Sequence, residues 1–367
     1  MTTTASLTTQ LHAQIAAELA ATGGWMGFDR FMALALYTPG LGYYANHSRK
    51  FGAMPASGSD FVTAPEMTPL FGRTLAVQVA QALAATQTTE VWEFGAGSGA
   101  LALQLLQSLG SHVARYTIVD LSGTLRERQQ EALAPYGDKV RWLNELPAAM
   151  QGVIVGNEVL DAMPVQLLVR LSGVWHERGV ALHDGALVWA DRVTDLRPST
   201  EVPGPHDYLT EIHPQAEAFI RTLADRLTQG AAFFLDYGFP ESEYYHPQRH
   251  MGTLMCHRAH LADTDPLADV GSKDITAHVN FTGIALAAQD AGFEVVGYAS
   301  QARFLINCGL VPMLEGASLA ERTQALRLIN EHEMGELFKV IALAKPAPGG
   351  APWPLLGFAA GDRTHTL

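Results

Sequence analysis

Three glycines crowd into five positions at Gly95, Gly97 and Gly99, and an acid, Glu93, stands two residues ahead of the first. An apolar run, 91–94, leads into this string and a helical pattern, 100–109, follows it. Glycine can adopt positive φ or let the main chain touch a ligand, and a helix start points unpaired N–H groups outward. Strand, glycine turn and helix together form a seat for a small polar ligand. Asp120, at the end of the next strand, can accept hydrogen bonds from ribose hydroxyls. The spacing Gly95-x-Gly97-x-x-Ala100 satisfies the dinucleotide fingerprint of NAD enzymes. The same string is also the acid-x-Gly-x-Gly-x-Gly of enzymes that use S-adenosylmethionine, in which the acid supports the loop and the methionine end of the cofactor.

A second cluster lies at 156–164, GNEVLDAMP. Asn157, Glu158 and Asp161 follow an apolar strand, at the carboxyl edge where open α/β sheets place their chemistry. Three polar groups in five residues suit a cation or amine. Asp161 reads equally well as a helix cap ahead of Met163-Pro164, whereas Glu158 is not needed by a cap and points to function. Downstream, His246, His250, Cys256, His257 and His260 raise the question of metal. Their spacings of four, six, one and three contain no paired zinc pattern, so no metal is expected.

The elements that must carry these residues follow from periodicity. Leu7, Leu11, Ile15 and Leu19 form the apolar stripe of a helix over 6–21. Further helices are expected at 28–36 and 69–85, with loop composition at 46–60. Beyond residue 86 short β-rich runs at 91–94, 116–119, 140–143, 153–156 and 231–235 alternate with helices at 100–109 and 125–133. Such alternation indicates a parallel sheet covered on both faces. Strands at 293–299 and 338–344 flank a helix near 320–330 and complete the sheet. Within 165–205, turns at Ser172-Gly173 and Asp184-Gly185 mark a small antiparallel hairpin insert. The segments 252–260 and 274–283 read as loop and helix start.

Two of these features favour methyl transfer over hydride transfer. The C-terminal pair of strands fits a methyltransferase sheet, whose last strand is antiparallel, and GNEVLDAMP falls where its fourth strand meets the transferred methyl. A dehydrogenase would need a catalytic His or Lys in a second domain, and none announces itself.

Composition narrows the partners. The chain has 367 residues and a net charge of −13, which argues against a nucleic-acid footprint. Its apolar runs, such as 231–235, fall far short of the roughly 20 residues of a membrane span. Two cysteines, Cys256 and Cys308, form no disulfide framework, and residues 1–25 contain no Lys or Arg. A cytoplasmic location is expected on these grounds. The length exceeds the roughly 250–300 residues of a single growing core, so additions to the main domain are expected.

The strings FMALALYTPGLGYY, GSDFVTAPEMTPLFG, WEFGAGSGALA, GNEVLDAMPV, LDYGFP, GTLMCHRAH, DITAHVNFTG and GELFKVIALAK occur in order. Together they resemble the MidA-like S-adenosylmethionine-dependent methyltransferases, over about 27–344. That family includes the mitochondrial protein arginine methyltransferase that assists assembly of respiratory complex I. The resemblance implies an α/β, Rossmann-like seven-stranded sheet over 86–345. It further implies an N-terminal helical or lid region at 1–85, inserts at 165–205 and 238–283 after strands four and five, and a tail at 346–367. S-adenosylmethionine is the implied cofactor, held by Glu93, Gly95, Ala96, Gly97 and Gly99, with Asp120 on the ribose and Leu121, Asn144 and Asn157 nearby. Phe61, Thr63, Pro65 and Glu66 would close over the cofactor or the substrate channel. The implied acceptor is an arginine-bearing protein, such as a complex I subunit. Carboxylates orient a guanidinium through paired hydrogen bonds, which nominates Glu158 and Asp161, then Asp236 and Tyr237, with His278 as a proton acceptor. Two other readings are a silent assembly chaperone that retains the fold and an NAD-dependent oxidoreductase.

Overall fold

The computed structural model describes residues 6–46, 62–120, 123–258, 261–345 and 355–367. Seven strands run through the central sheet: β1 (Glu90–Phe94), β2 (Arg115–Val119), β3 (Val140–Leu143), β4 (Met150–Asn157), β5 (Leu227–Phe239), β6 (Glu294–Ser300) and β7 (Phe338–Lys345). Their spatial order is β6-β7-β5-β4-β1-β2-β3, and an eighth two-residue strand, Val279–Asn280, pairs beside the end of β5. Neighbours from β3 to β5 are parallel. β7 alone runs antiparallel to both of its neighbours.

Burial on both faces explains the continuous apolar runs of these strands. In β5, Ala231, Phe233 and Leu235 enter one core while Ala232 and Phe234 enter the other. β7 divides the same way, with Val340 and Ala342 against Ile341 and Leu343. One core takes its helical side chains from Leu70–Thr86, Ala100–Leu109 and Leu319–Ile329, the other from Pro214–Arg226 and Phe281–Asp290.

Two inserts differ from their expected form. The segment around 165–205 is no isolated hairpin. Gln166–Leu171, Val174–His183 and Ala186–Val193 make a meander that Trp25–Gly27 and Tyr208–Ile212 extend into a five-stranded antiparallel sheet. Both expected turns are present, with positive φ at Ser172, Gly173, Asp184 and Gly185, the geometry whose twist suits tight hairpins. The residues 252–260 and 274–283, read as loop and helix start, do open the helix Phe281–Asp290, but they also contain strands Met255–Arg258 and Asp274–Thr276 paired to each other.

The N-terminal helices share a core with these inserts. Leu11, Ile15 and Leu19 of Leu7–Ala21 and Phe31 of Phe28–Tyr37 pack with Val165, Val180, Cys256 and Ile275. Leu7, the first residue of the expected stripe, is instead exposed. In the described part of the tail, Gly357 N–H donates to Gln78 at 2.8 Å and Phe358 packs on Phe304.

Candidate active site

The parallel strands β1, β2, β4 and β5 end side by side, with Phe94 opposite Val119 and Gly156, and Asn157 opposite Leu235. A cavity of about 790 Å³ opens at this edge. The glycine loop forms one wall. Gly95 and Gly97 have φ of +63° and +54°, values that the Cβ of other residues disfavours, and a Cβ on Gly95 would lie 3.0 Å from Val159. Gly99 sits behind this wall as the N-cap of Ala100–Leu109 rather than in the lining.

Glu93 is buried and accepts a hydrogen bond from Tyr116 at 2.7 Å. Burial pushes its carboxyl up to about 8, against the lowering effect of that bond. Asp120 lines the cavity at the end of β2 and accepts from Gln129 Nε2 at 2.9 Å. The short helix Ala64–Met67 crosses nearby: Ser98 Oγ donates to Glu66, and Gln104 Nε2 donates to the Pro65 carbonyl at 2.8 Å. Thr63, Pro65, Glu66 and Ala96 all line the cavity.

β4 delivers the second wall. Glu158 is half-buried and holds φ +53°, a backbone state that non-glycine residues rarely take. Asn157 Nδ2 donates to its carboxylate at 3.0 Å, and burial followed by the charge of Asp161 pushes that carboxyl up to about 8. Asp161 accepts from Tyr237 Oη at 2.5 Å, yet burial still raises it to about 6. Tyr237 and Phe239 flank the His278 ring, and burial, then the Arg249 charge, lowers that imidazole to about 4. His278 is therefore neutral at pH 7.

Several expected site residues stand elsewhere. Asp236 does not line the cavity: its Oδ2 accepts from the N–H groups of Val159, Leu160 and Asp161 at 2.9–3.3 Å and holds their turn. Asn144 is exposed outside the lining, where its side-chain oxygen accepts from Arg126. Phe61, Leu121 and His260 lie outside the described residues. Cys256 is buried in the core of the N-terminal helices, while its neighbour His257 reaches the cavity. Among the described residues no three His, Cys, Asp or Glu side chains gather as a metal set.

Other lining residues were not singled out from the sequence. Tyr37 and Tyr44 stack at 5.6 Å, and Tyr44 Oη donates to Asp274 at 2.9 Å. Both tyrosines fall within FMALALYTPGLGYY and Asp274 begins DITAHVNFTG, so the motifs carried them without indicating a role.

The carboxylates of this largely apolar lining are Glu66, Glu93, Asp120, Glu158, Asp161 and Asp274, and no Lys or Arg lines it among the described residues. Buried polar atoms without partners also collect here. Asn157 Oδ1, Asp161 Oδ1, Thr276 Oγ1 and His278 Nδ1 all belong to lining residues. Unpaired buried polar atoms are costly, and a bound donor would satisfy the Asn157 and Asp161 oxygens. S-adenosylmethionine brings an ammonium and a sulfonium, so the residues present fit it.

Strand order, antiparallel last strand and acidic pocket define an S-adenosylmethionine-dependent methyltransferase. Residues 74–299 match the family described as "Putative S-adenosyl-L-methionine-dependent methyltransferase", and the chain belongs to it. A relative from Burkholderia thailandensis, crystallised with S-adenosyl-homocysteine, is 48% identical with a TM-score of 0.94, over 98% of this chain and 97% of that one. A native crystal structure of a protein from the same organism gives 47% and 0.89 over the same shares. The protein arginine methyltransferase NDUFAF7 of Homo sapiens is 26% identical, over 85% of this chain and 78% of its own length. Its homolog in Caenorhabditis elegans is also 26% identical, over 85% and 81%. Both curated relatives are mitochondrial proteins by name, which overturns the cytoplasmic location expected from the sequence. Among the described residues no helix is long and apolar enough to cross a membrane.

Proposed function

We propose that this methyltransferase acts on the guanidinium of an arginine carried by a protein. The supporting observation is the wall made by Asn157, Glu158, Asp161, Thr276 and His278, rich in acceptors and without a cation among the described residues. A guanidinium presents five N–H donors in one plane and no acceptor. The arginine methyltransferase names of the curated relatives agree with this acceptor, and the family resemblance extends it to a subunit of respiratory complex I.

Bound S-adenosylmethionine supplies an electrophilic methyl on its sulfonium. The chain must aim one guanidinium nitrogen at that methyl, with the reacting atoms about 3–3.5 Å apart. Glu158 and Asp161 grip the other nitrogens, and Tyr237 fixes the Asp161 carboxylate through its 2.5 Å bond. A free guanidinium holds its proton to pKa above about 12, so deprotonation does not precede attack. The proton leaves once the nitrogen has gained the methyl, and Asp161 is placed to take it. Tyr37 and Tyr44 supply flat apolar surface for the arginine stem and its planar head.

Glu158→Gln tests the assignment, because it keeps the shape and removes the charge that a bound guanidinium draws out of this raised carboxyl. Affinity for S-adenosylhomocysteine should stay within a few fold in calorimetry. Methylarginine on acceptor proteins, quantified by mass spectrometry in a complemented deletion strain, should fall about a hundredfold. Unchanged methylarginine would reject Glu158 as the guanidinium ligand.

A further inference from the structure

Gln129 is fully buried on the helix Gly123–Leu133, behind the glycine loop. Its side-chain amide makes three hydrogen bonds. Nε2 donates to the Gly97 carbonyl at 3.0 Å and to Asp120 Oδ2 at 2.9 Å, while Oε1 accepts from Trp142 Nε1 at 3.0 Å. The orientation of this amide is not interchangeable. An indole N–H can only donate, so the atom facing Trp142 must be the oxygen. Nε2 then faces two acceptors, and its two protons match them one to one. Three strands thereby converge on one side chain: Gly97 follows β1, Asp120 follows β2 and Trp142 lies on β3.

We infer that Gln129 is a positioning residue for cofactor binding, which fixes the Asp120 carboxylate relative to the glycine loop through a single amide. One oxygen of Asp120 is tied by Gln129, and the carboxylate is held in the rotation that presents it to the ribose. The Gly97 carbonyl is turned back toward the helix, so the loop offers its other face to the ligand. This inference rests on the reading of Asp120 as the ribose partner. The sequence gives Gln129 no motif, because both of its ligand-side partners are defined only once β1, β2 and this helix are packed.

Two variants separate positioning from packing. Gln129→Glu keeps an oxygen for Trp142 and sets a carboxylate oxygen against two acceptors. Gln129→Met keeps length and bulk without the bonds. Binding of adenosine and of 2′,3′-dideoxyadenosine to the purified full chain is measured by ligand-observed NMR, with melting curves on the same samples. Positioning predicts that both variants lose about tenfold or more in adenosine affinity while dideoxyadenosine, which has no hydroxyl for Asp120, binds within twofold of wild type. Adding Asp120→Asn to Gln129→Glu should then restore part of the lost adenosine affinity, because the like-charge contact is gone. Equal losses for the two nucleosides, or no loss for either, would overturn the inference. Asp120→Ala alone guards the underlying reading. If that variant loses adenosine selectively while the Gln129 variants do not, only the positioning role fails; if it loses neither nucleoside, the ribose reading itself fails.

Discussion

Gly97 joins two demands at one residue: φ of +54° and a carbonyl turned away from the cavity toward Gln129. A valine there would be strained in the backbone and would place two methyls beside the ligand. Gly97→Val should keep its helical circular dichroism and lose S-adenosylhomocysteine binding by about a hundredfold or more in calorimetry. Undiminished affinity in a folded variant would mean that the ligand contacts another surface. At the same scale, Asp236 and Glu158 show how one residue type serves two ends. Both are acids at the carboxyl edge, yet Asp236 satisfies four backbone donors while Glu158 faces the cavity. Their sequence contexts do not distinguish them, because three of the donors that bind Asp236 lie some 75 residues away in the chain.

At the scale of elements, legibility followed the source of each element's stability. β1, β3 and the helix Ala100–Leu109 were readable because their apolar runs and the glycines between them are local signals. Trp25–Gly27 is only three residues long and is a strand solely because Val174–His183 pairs with it. Met255–Arg258 carries no clean alternation, and its partner Asp274–Thr276 is drawn in by a fold that no window of sequence displays. The same distinction divides the site. The glycine loop, Asp120 and Glu158 lie in contiguous motifs, whereas Tyr44 meets Asp274 across 230 residues. The five-stranded insert also ties the N-terminal helices to the substrate side, so Tyr37, whose hydroxyl donates to the Ala162 carbonyl at 2.8 Å, enters the cavity on a braced support.

Over the whole molecule, buried acids and buried imidazoles set opposing pH dependences. Glu93 and Glu158 are raised to about 8, and burial with the nearby acids raises Asp236 as well. At pH 7 the folded chain therefore holds protons that the unfolded chain, with carboxyls near pKa 4, has released. Folded binding in excess of unfolded binding means stability falls as pH rises. His213 and His278, lowered to about 4, act in the other direction: they favour the fold as pH climbs toward the ordinary histidine value near 6.5, and add little above it. Between pH 6.5 and 8.5 the acids outweigh the imidazoles in this balance, because the unfolded histidines are already losing their last protons. Ligand-free protein should lose several degrees of melting temperature across that interval. Saturating S-adenosylmethionine, whose cationic groups favour the ionised carboxylates, should flatten the slope. A ligand-free melting temperature that rises from pH 6.5 to 8.5 would contradict the protonated state of Glu93 and Glu158.

The left-handed backbone of Glu158 has an implication for the history of such chains. A non-glycine residue at φ +53° costs about 1–2 kcal/mol, and this one also crowds Asp161 and Asp236. Asparagine tolerates that conformation and carries no charge. Glu158→Asn should therefore melt higher than wild type at pH 8.5 while its methylarginine signal disappears; a lower melting temperature would show that the glutamate is not a stability liability. Wherever selection for transfer is relaxed, drift at this one codon is downhill in folding energy. A descendant that has kept the architecture and abandoned the reaction would betray itself there first, by an asparagine or glycine in place of this acid.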